Sequence, residues 1–172
     1  MKYILDFDYT LYDTDLFSQT AEPFKQRDES GQWVTPRIWD ILDASDFFYN
    51  DTLTFLSALH PSDVTILTAW TPSLGPESYE FQKSKVERSG IQDLVGTIVY
   101  MEGDKGPYVR DLYRNEKTVF VDDRLDHLQS AKKYCPNILV AHMIRPGRKD
   151  VISTDPSGSV PTIPSLAVLH NL

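Results

Sequence analysis

The stretch that decides the fold is Lys2–Leu11, "KYILDFDYTL". An apolar run, Tyr3-Ile4-Leu5, leads straight into Asp6 and Asp8, with Phe7 between them. Asp13 and Asp15 follow, so four aspartates fall within ten residues. A short continuous apolar run reads as a strand buried on both faces. Ending such a strand in two carboxylates is costly unless something neutralises them. At strand period two, Asp6 and Asp8 point to one side and Phe7 to the other. Asp13 and Asp15 lie past the turn, at expected surface or flap positions.

Four more apolar runs follow: Val64–Thr68, Thr97–Met101, Thr118–Val121 and Ile138–Ile144. Helix-like segments alternate with them. Thr52–Leu59 follows the N-cap types Asn50 and Asp51 and places Leu53, Leu56 and Leu59 at helical spacing. Ser78–Ser89 stops at Gly90. Pro107–Asn115 opens with Gly-Pro, proline suiting a first turn. Leu125–Tyr134 stops before Cys135-Pro136. This alternation predicts an α/β fold with a doubly wound, mostly parallel, Rossmann-like sheet. One domain over residues 1–172 is expected. Two segments break the rhythm. Residues 14–49 form an aromatic-rich insertion after strand one (Phe17, Phe24, Trp33, Trp39, Phe47, Phe48, Tyr49) with a polar centre, Lys25–Gln32; connections this long are usually functional. These aromatics are expected to form a small core. Asp150–Pro161 reads as a surface loop, and Thr162–Leu172 as a last strand and terminal helix.

The net charge of −8 argues against a general nucleic-acid or anionic-membrane binder. Cys135 is the single cysteine, so no intramolecular disulfide forms, which fits a reducing compartment. No run reaches membrane-spanning length, and the first is too short for a signal peptide. A cytoplasmic protein is expected.

Ligands of open α/β sheets bind at the carboxyl ends of the strands. Asp6 and Asp8 end strand one, Thr68 ends strand two, Lys105 follows strand three, and Asp122 and Asp123 end strand four, with Asp126 one turn on. Two unit charges ~4 Å apart repel by ~4 kcal/mol at an effective dielectric of ~20. Convergent carboxylates therefore call for a cation. An oxygen-only donor set points to a hard ion, Mg²⁺. Lys105 adds positive charge, Thr68 a hydroxyl, and the turn after it backbone amides, a set suited to phosphate. A carboxylate held against Mg²⁺ and Lys105 stays ionised and can attack phosphorus. Its neighbour, near like charge but off the metal, should have its pKa raised and can serve as acid and base. Lys83 and Lys85 compete with Lys105 for the lysine role, but on a helix they are expected to be solvated.

These motifs resemble the haloacid dehalogenase superfamily of phosphotransferases across nearly the whole chain: "DFDYTL", Thr68 after "TIL", Lys105 ahead of a helix, and "FVDDRLD". The resemblance implies a Mg²⁺-dependent phosphatase acting on a phosphorylated substrate through an aspartyl phosphate. Asp6 would be nucleophile and metal ligand; Asp8 acid/base, with its carbonyl on the metal. Thr10 would hold the turn, Thr68 and the Ala69 amide the phosphate. Lys105 would steady Asp6 and phosphate, and Asp122 complete the metal site. Asp123 and Asp126 both match the supporting acid. The insertion implies a flap plus minimal cap. A phosphotransferase or phosphomutase, and a non-catalytic Mg²⁺- and phosphate-binding regulator, are the alternatives. A signalling receiver domain gathers similar residues, but there the lysine comes last, whereas Lys105 precedes Asp122. Trp70 is expected to pack more than to stack on a leaving group, Arg124 to be solvated, and His60, His127, His142 and His170 to be structural or at the surface.

Overall fold

The computed structural model describes residues 1–171 apart from 28, 30–32, 35–36, 114–116, 149–154 and 156. In chain order the elements are β1 (Lys2–Leu5), α1 (Thr14–Ala21), β2 (Gln26–Arg27), β3 (Trp33–Val34), α2 (Thr52–Ser57), β4 (Val64–Ala69) and α3 (Pro76–Arg88). Then come β5 (Thr97–Met101), α4 (Gly106–Leu112), β6 (Thr118–Asp122), α5 (Leu125–Tyr134), β7 (Leu139–Met143) and β8 (Thr162–Ile163). The main sheet runs β5-β4-β1-β6-β7-β8, with every pair parallel. All five expected strands are present and the doubly wound reading holds. The chain first moves outward from β1 through β4 to β5, then returns to β6 and moves the other way. The crevice where the order reverses therefore lies between β1 and β6.

Alternation along β1 splits the core. Tyr3 and Leu5 join Phe55, Ile66 and Val86 on one face. Ile4 joins Leu67, Val109, Phe120 and Leu128 on the other. Thus α2 and α3 cover the first face, and α4 and α5 the second. Leu5 pairs with Val121, and the Asp6 N–H donates to the Val121 carbonyl at 2.9 Å. Asp6 and Asp122 are the next residues along these neighbouring strands.

Some details differ from the sequence reading. In α2 the buried residues are Thr52, Phe55 and Leu56, while Leu53 is exposed. Asp51 sits at the N-cap without capping; its carboxylate accepts instead from Arg145, Ser165 Oγ and the Leu166 amide. The terminal segment forms β8 and a 3₁₀ helix, Leu166–Asn171. Asn115, Leu172, the Trp33 side chain, part of Lys25–Gln32 and much of Asp150–Pro161 lie outside the described residues.

Among the described residues the insertion forms α1, three short 3₁₀ turns and the β2–β3 antiparallel ribbon. Its aromatics Phe17 and Phe47 are buried members of the core of the first face, with Phe24, Trp39 and Phe48 packed against it, rather than forming a small core of their own. Phe17 stacks on Trp39 at 5.4 Å and meets Phe47 edge-on at 5.3 Å, and Trp39 stacks on Phe81 of α3 at 5.6 Å. These contacts bind the insertion to α3. No helix among the described residues is long and apolar enough to cross a membrane.

Candidate active site

Asp6, Asp122 and Asp123 gather at the β1–β6 crevice, each offering a carboxylate oxygen within 4.8 Å of the others. All three are buried. Lys105, at the N-cap of α4, is 1% exposed and lies between two of them. It donates to Asp6 Oδ1, and to Asp122 Oδ2 at 2.8 Å. Its position depends on close packing of α4 on α5. A Cβ on Gly106 would come within 2.2 Å of Ser130 Oγ, so only glycine lets the helices approach there. Asp104 fastens the same corner, accepting from the Gly106 amide at 3.0 Å and Ser130 Oγ at 2.6 Å.

Asp122 has both oxygens engaged. Oδ1 accepts from the Arg124 amide at 2.8 Å, and Oδ2 from Lys105 and, at 3.2 Å, from His127 Nδ1. Burial pushes its pKa up, but Lys105 and His127 outweigh that and hold it below the usual carboxylate range. Asp123 accepts from Arg148, whose guanidinium also lies 4.0 Å from the centre of the Tyr9 ring. Burial and the Asp122 charge raise the Asp123 pKa to about 6, against the pull of Arg148. Tyr9 has φ 58°, a left-handed conformation that is uncommon for a bulky residue. It marks a strained turn directly after Asp8.

Asp6 is the unbalanced member. Its Oδ2 is buried and accepts no hydrogen bond. Burial raises its pKa well above the ordinary value; Lys105 opposes this, and Asp122 and Asp123 add to it. A cation at the cluster would reverse that balance. Among the described residues the three buried carboxylates meet the side chains of Lys105, Arg148 and His127, and Asp6 Oδ2 has no partner. The donors are all oxygen, so the residues present fit Mg²⁺.

Asp8 is placed differently from the sequence reading. The ladder of β1 stops at Leu5, and strict alternation stops with it. Asp6 engages α4, while Asp8 engages α3 on the opposite face. Its Oδ1 accepts from Lys85 at 2.5 Å and from Thr14 Oγ1 at 2.6 Å. Its Oδ2 accepts from Gln82 Nε2 at 2.7 Å. Burial pushes the Asp8 pKa up, but Lys85, Thr14 and Gln82 bring it below the ordinary value, where a rise was expected. Lys85, expected to be solvated, is 4% exposed. Lys83 has the solvated helix-surface character foreseen, partly exposed and 4.0 Å from Glu87.

Thr68 is buried in β4, and its Oγ1 accepts from the same Gln82 nitrogen at 2.7 Å. Ala69 follows at the strand end, and the Trp70 amide is taken by the Met101 carbonyl at 3.0 Å. Thr10 is buried; its carbonyl accepts from Arg145 Nε at 3.1 Å and Nη2 at 2.6 Å, and its hydroxyl has no partner among the described residues. Asp126 is not brought to the cluster. It is exposed and pairs with Arg124 at 2.5 Å. Of the two rival supporting acids, Asp123 is the one that meets Asp6 and Asp122. Gln82, Lys85, His127, Arg145 and Arg148 complete the surroundings; the sequence offers Lys85 as a rival to Lys105 and His127 as structural or at the surface, and singles out none of the other three.

The sequence matches no family model, and no similar curated protein was found. Solved structures do resemble it. A haloacid dehalogenase-like family hydrolase from Xanthomonas campestris aligns over 92% of both chains, with a TM-score of 0.51 and 16% identity. The chain has the haloacid dehalogenase-like fold. The UTR4 protein (Unknown transcript 4 protein) of Saccharomyces cerevisiae also aligns, over 97% of this chain and 98% of its own. There the TM-score is 0.56 and the identity 12%. On this fold the acidic cluster lies at the ends of β1 and β6, Thr68 near the end of β4, and Lys105 at the N-cap of α4. At these identities the likeness speaks for the fold; chemistry has to be argued from the site itself.

Proposed function

We propose that the protein is a Mg²⁺-dependent phosphomonoester hydrolase in which Asp6 forms an aspartyl phosphate. The observation that carries this reading is the unpartnered, buried Asp6 Oδ2 beside Lys105 and two further carboxylates. Asp6, Asp122 and Asp123 would hold the ion, with the Asp8 carbonyl a further donor. When bound, Mg²⁺ supplies positive charge that keeps Asp6 ionised and offsets the charge of the phosphate.

The side chains then divide the work. The Asp6 carboxylate attacks phosphorus, and the bond from phosphorus to the leaving oxygen breaks. Asp8 gives its proton to that oxygen. In the second half, water attacks the phosphorus of the aspartyl phosphate and Asp8 takes a proton from the water. Inorganic phosphate leaves and Asp6 is regenerated. Lys105 stabilises charge near Asp6 throughout, and Thr68 with the Ala69 amide holds phosphate oxygens. The donors around Asp8 favour its charged form, which suits the second half. The first half needs a proton there against that bias.

Residues 14–49 act in this reading as a flap and minimal cap, fastened to α3 through Phe17, Trp39 and Phe81. The test is inorganic phosphate release from a panel of small and macromolecular phosphate esters, with and without Mg²⁺. Release that requires Mg²⁺ supports the reading. Mg²⁺ binding without turnover on any ester would favour a non-catalytic regulator.

A further inference from the structure

Beside the carboxylate cluster an open cleft of about 510 Å³ is bounded by the turn after β4 and the first turns of α5. Its size is that of a small-molecule site. Two of its walls touch the candidate chemistry. Ala69 follows Thr68 directly, and His127 bonds Asp122 at 3.2 Å. Trp70, the next residue after Ala69, also lines it.

Trp70 is only half buried, and it is held rigidly. Its amide is bonded to the Met101 carbonyl at 3.0 Å. Its ring meets Tyr79 edge-on at 5.7 Å, and Tyr79 meets Tyr100 edge-on at 5.9 Å. No hydrogen bond runs from its indole N–H to any described residue, although a tryptophan packed in an interior normally finds a partner for that donor. So Trp70 packs along one side and presents the rest to the cleft. Some of the polar groups that line the cleft are already engaged. Asp104 spends its oxygens on Gly106 and Ser130, and Arg124 pairs with Asp126. What the cleft offers a ligand most directly is a fixed aromatic surface next to the phosphate-holding residues.

We propose that this cleft is the leaving-group subsite and that it takes a planar aromatic or heteroaromatic group against Trp70. The substrate class is then an aromatic phosphomonoester. This rests on the phosphatase reading for its orientation relative to Asp6. An aromatic contact of this kind is worth roughly two- to twelvefold in affinity.

The test compares 1-naphthyl phosphate with cyclohexyl phosphate for the wild type, Trp70→Leu and Trp70→Phe. Leaving-group acidity cancels because each substrate is compared between enzymes. Trp70→Leu should lower the naphthyl-to-cyclohexyl ratio of kcat/KM about two- to twelvefold, chiefly through KM. Trp70→Phe should restore most of it. An unchanged ratio, or equal losses on both esters, would overturn the proposal. Calorimetric binding of 1-naphthylmethylphosphonate against cyclohexylmethylphosphonate decides the same point without turnover. If the wild type hydrolyses neither ester, the phosphatase reading fails while the cleft stands or falls on that binding preference and its loss in Trp70→Leu.

Discussion

Lys85 Nζ stands 2.5 Å from Asp8 Oδ1, across 77 residues of sequence. One helical turn earlier, Gln82 Nε2 lies 2.7 Å from both Asp8 Oδ2 and Thr68 Oγ1. One face of α3 therefore fixes the two residues proposed to move protons and to hold phosphate. The next residue along from Phe81, which anchors the insertion, is Gln82 itself. The insertion and the acid/base carboxylate are thus attached to the same turn of helix.

Replacing Lys85 by Met leaves the Asp8 carboxylate without its cation in a mostly buried setting. Breaking one half of such a pair costs about 3 kcal/mol. Urea unfolding should show the midpoint fall by a corresponding amount, with Lys85→Arg losing much less. A midpoint within error of the wild type would mean that the pair contributes nothing.

Mg²⁺ should stabilise the folded protein, since the unfolded chain has no gathered carboxylates. At a hundredfold excess over Kd the gain is about 2.7 kcal/mol, visible as a rise in Tm. EDTA should reverse the rise. Asp122→Asn should abolish most of it, and Asp126→Asn should leave it intact because Asp126 faces Arg124. Equal effects of the two variants would contradict the placement of the metal site.

Gly106→Ala should destabilise the protein by about 1–3 kcal/mol through overpacking. The new Cβ would meet Ser130 Oγ at 2.2 Å and Tyr134 Cδ2 at 2.8 Å. Adding Ser130→Ala should rescue only part of the loss, because the Ser130 carbonyl carbon also lies 2.9 Å away. Thermal melts of the two variants check this. A parallel drop in activity is expected, since α4 carries Lys105.

Asp51 gives a pH dependence of stability. Burial pushes its pKa up, but the Arg145 fork, Ser165 and the Leu166 amide outweigh that and lower it. A carboxyl lowered in the folded state stabilises fully above its unfolded pKa, about 3.9, and loses that contribution as pH falls through the folded value. Wild type should therefore lose more Tm than Asp51→Asn between about pH 5 and pH 3. Parallel profiles would show that the Asp51–Arg145 contact is not a source of acid sensitivity.

The strands were legible because each is a short apolar run, and the crevice residues because their carboxylates interrupt such runs. Register did the rest: once β1 and β6 pair, Asp6 and Asp122 must neighbour each other. Lys85 reads from the sequence only as a solvated rival to Lys105, and Gln82 carries no signal, for a physical reason. The buried side of α3 carries Gln82, Lys85, Val86 and Ser89 at positions i, i+3, i+4 and i+7, a helical stripe with a single apolar member. A polar stripe looks like a solvated face until its partners, Asp8 and Thr68, are brought against it by the fold. His127 hid similarly, next to Leu128 on α5, and only the β6–α5 turn brings it to Asp122. The raised pKa expected of Asp8 failed because strand alternation was carried three residues past the last ladder pair, at Leu5.

The most direct test of the central claim is acid-quench mass spectrometry of the protein during turnover of an aryl phosphate with Mg²⁺. The account predicts a phosphoryl group on the peptide that carries Asp6, absent in Asp6→Asn together with turnover. Sustained phosphate release by Asp6→Asn, with no adduct on that peptide in the wild type, would contradict it.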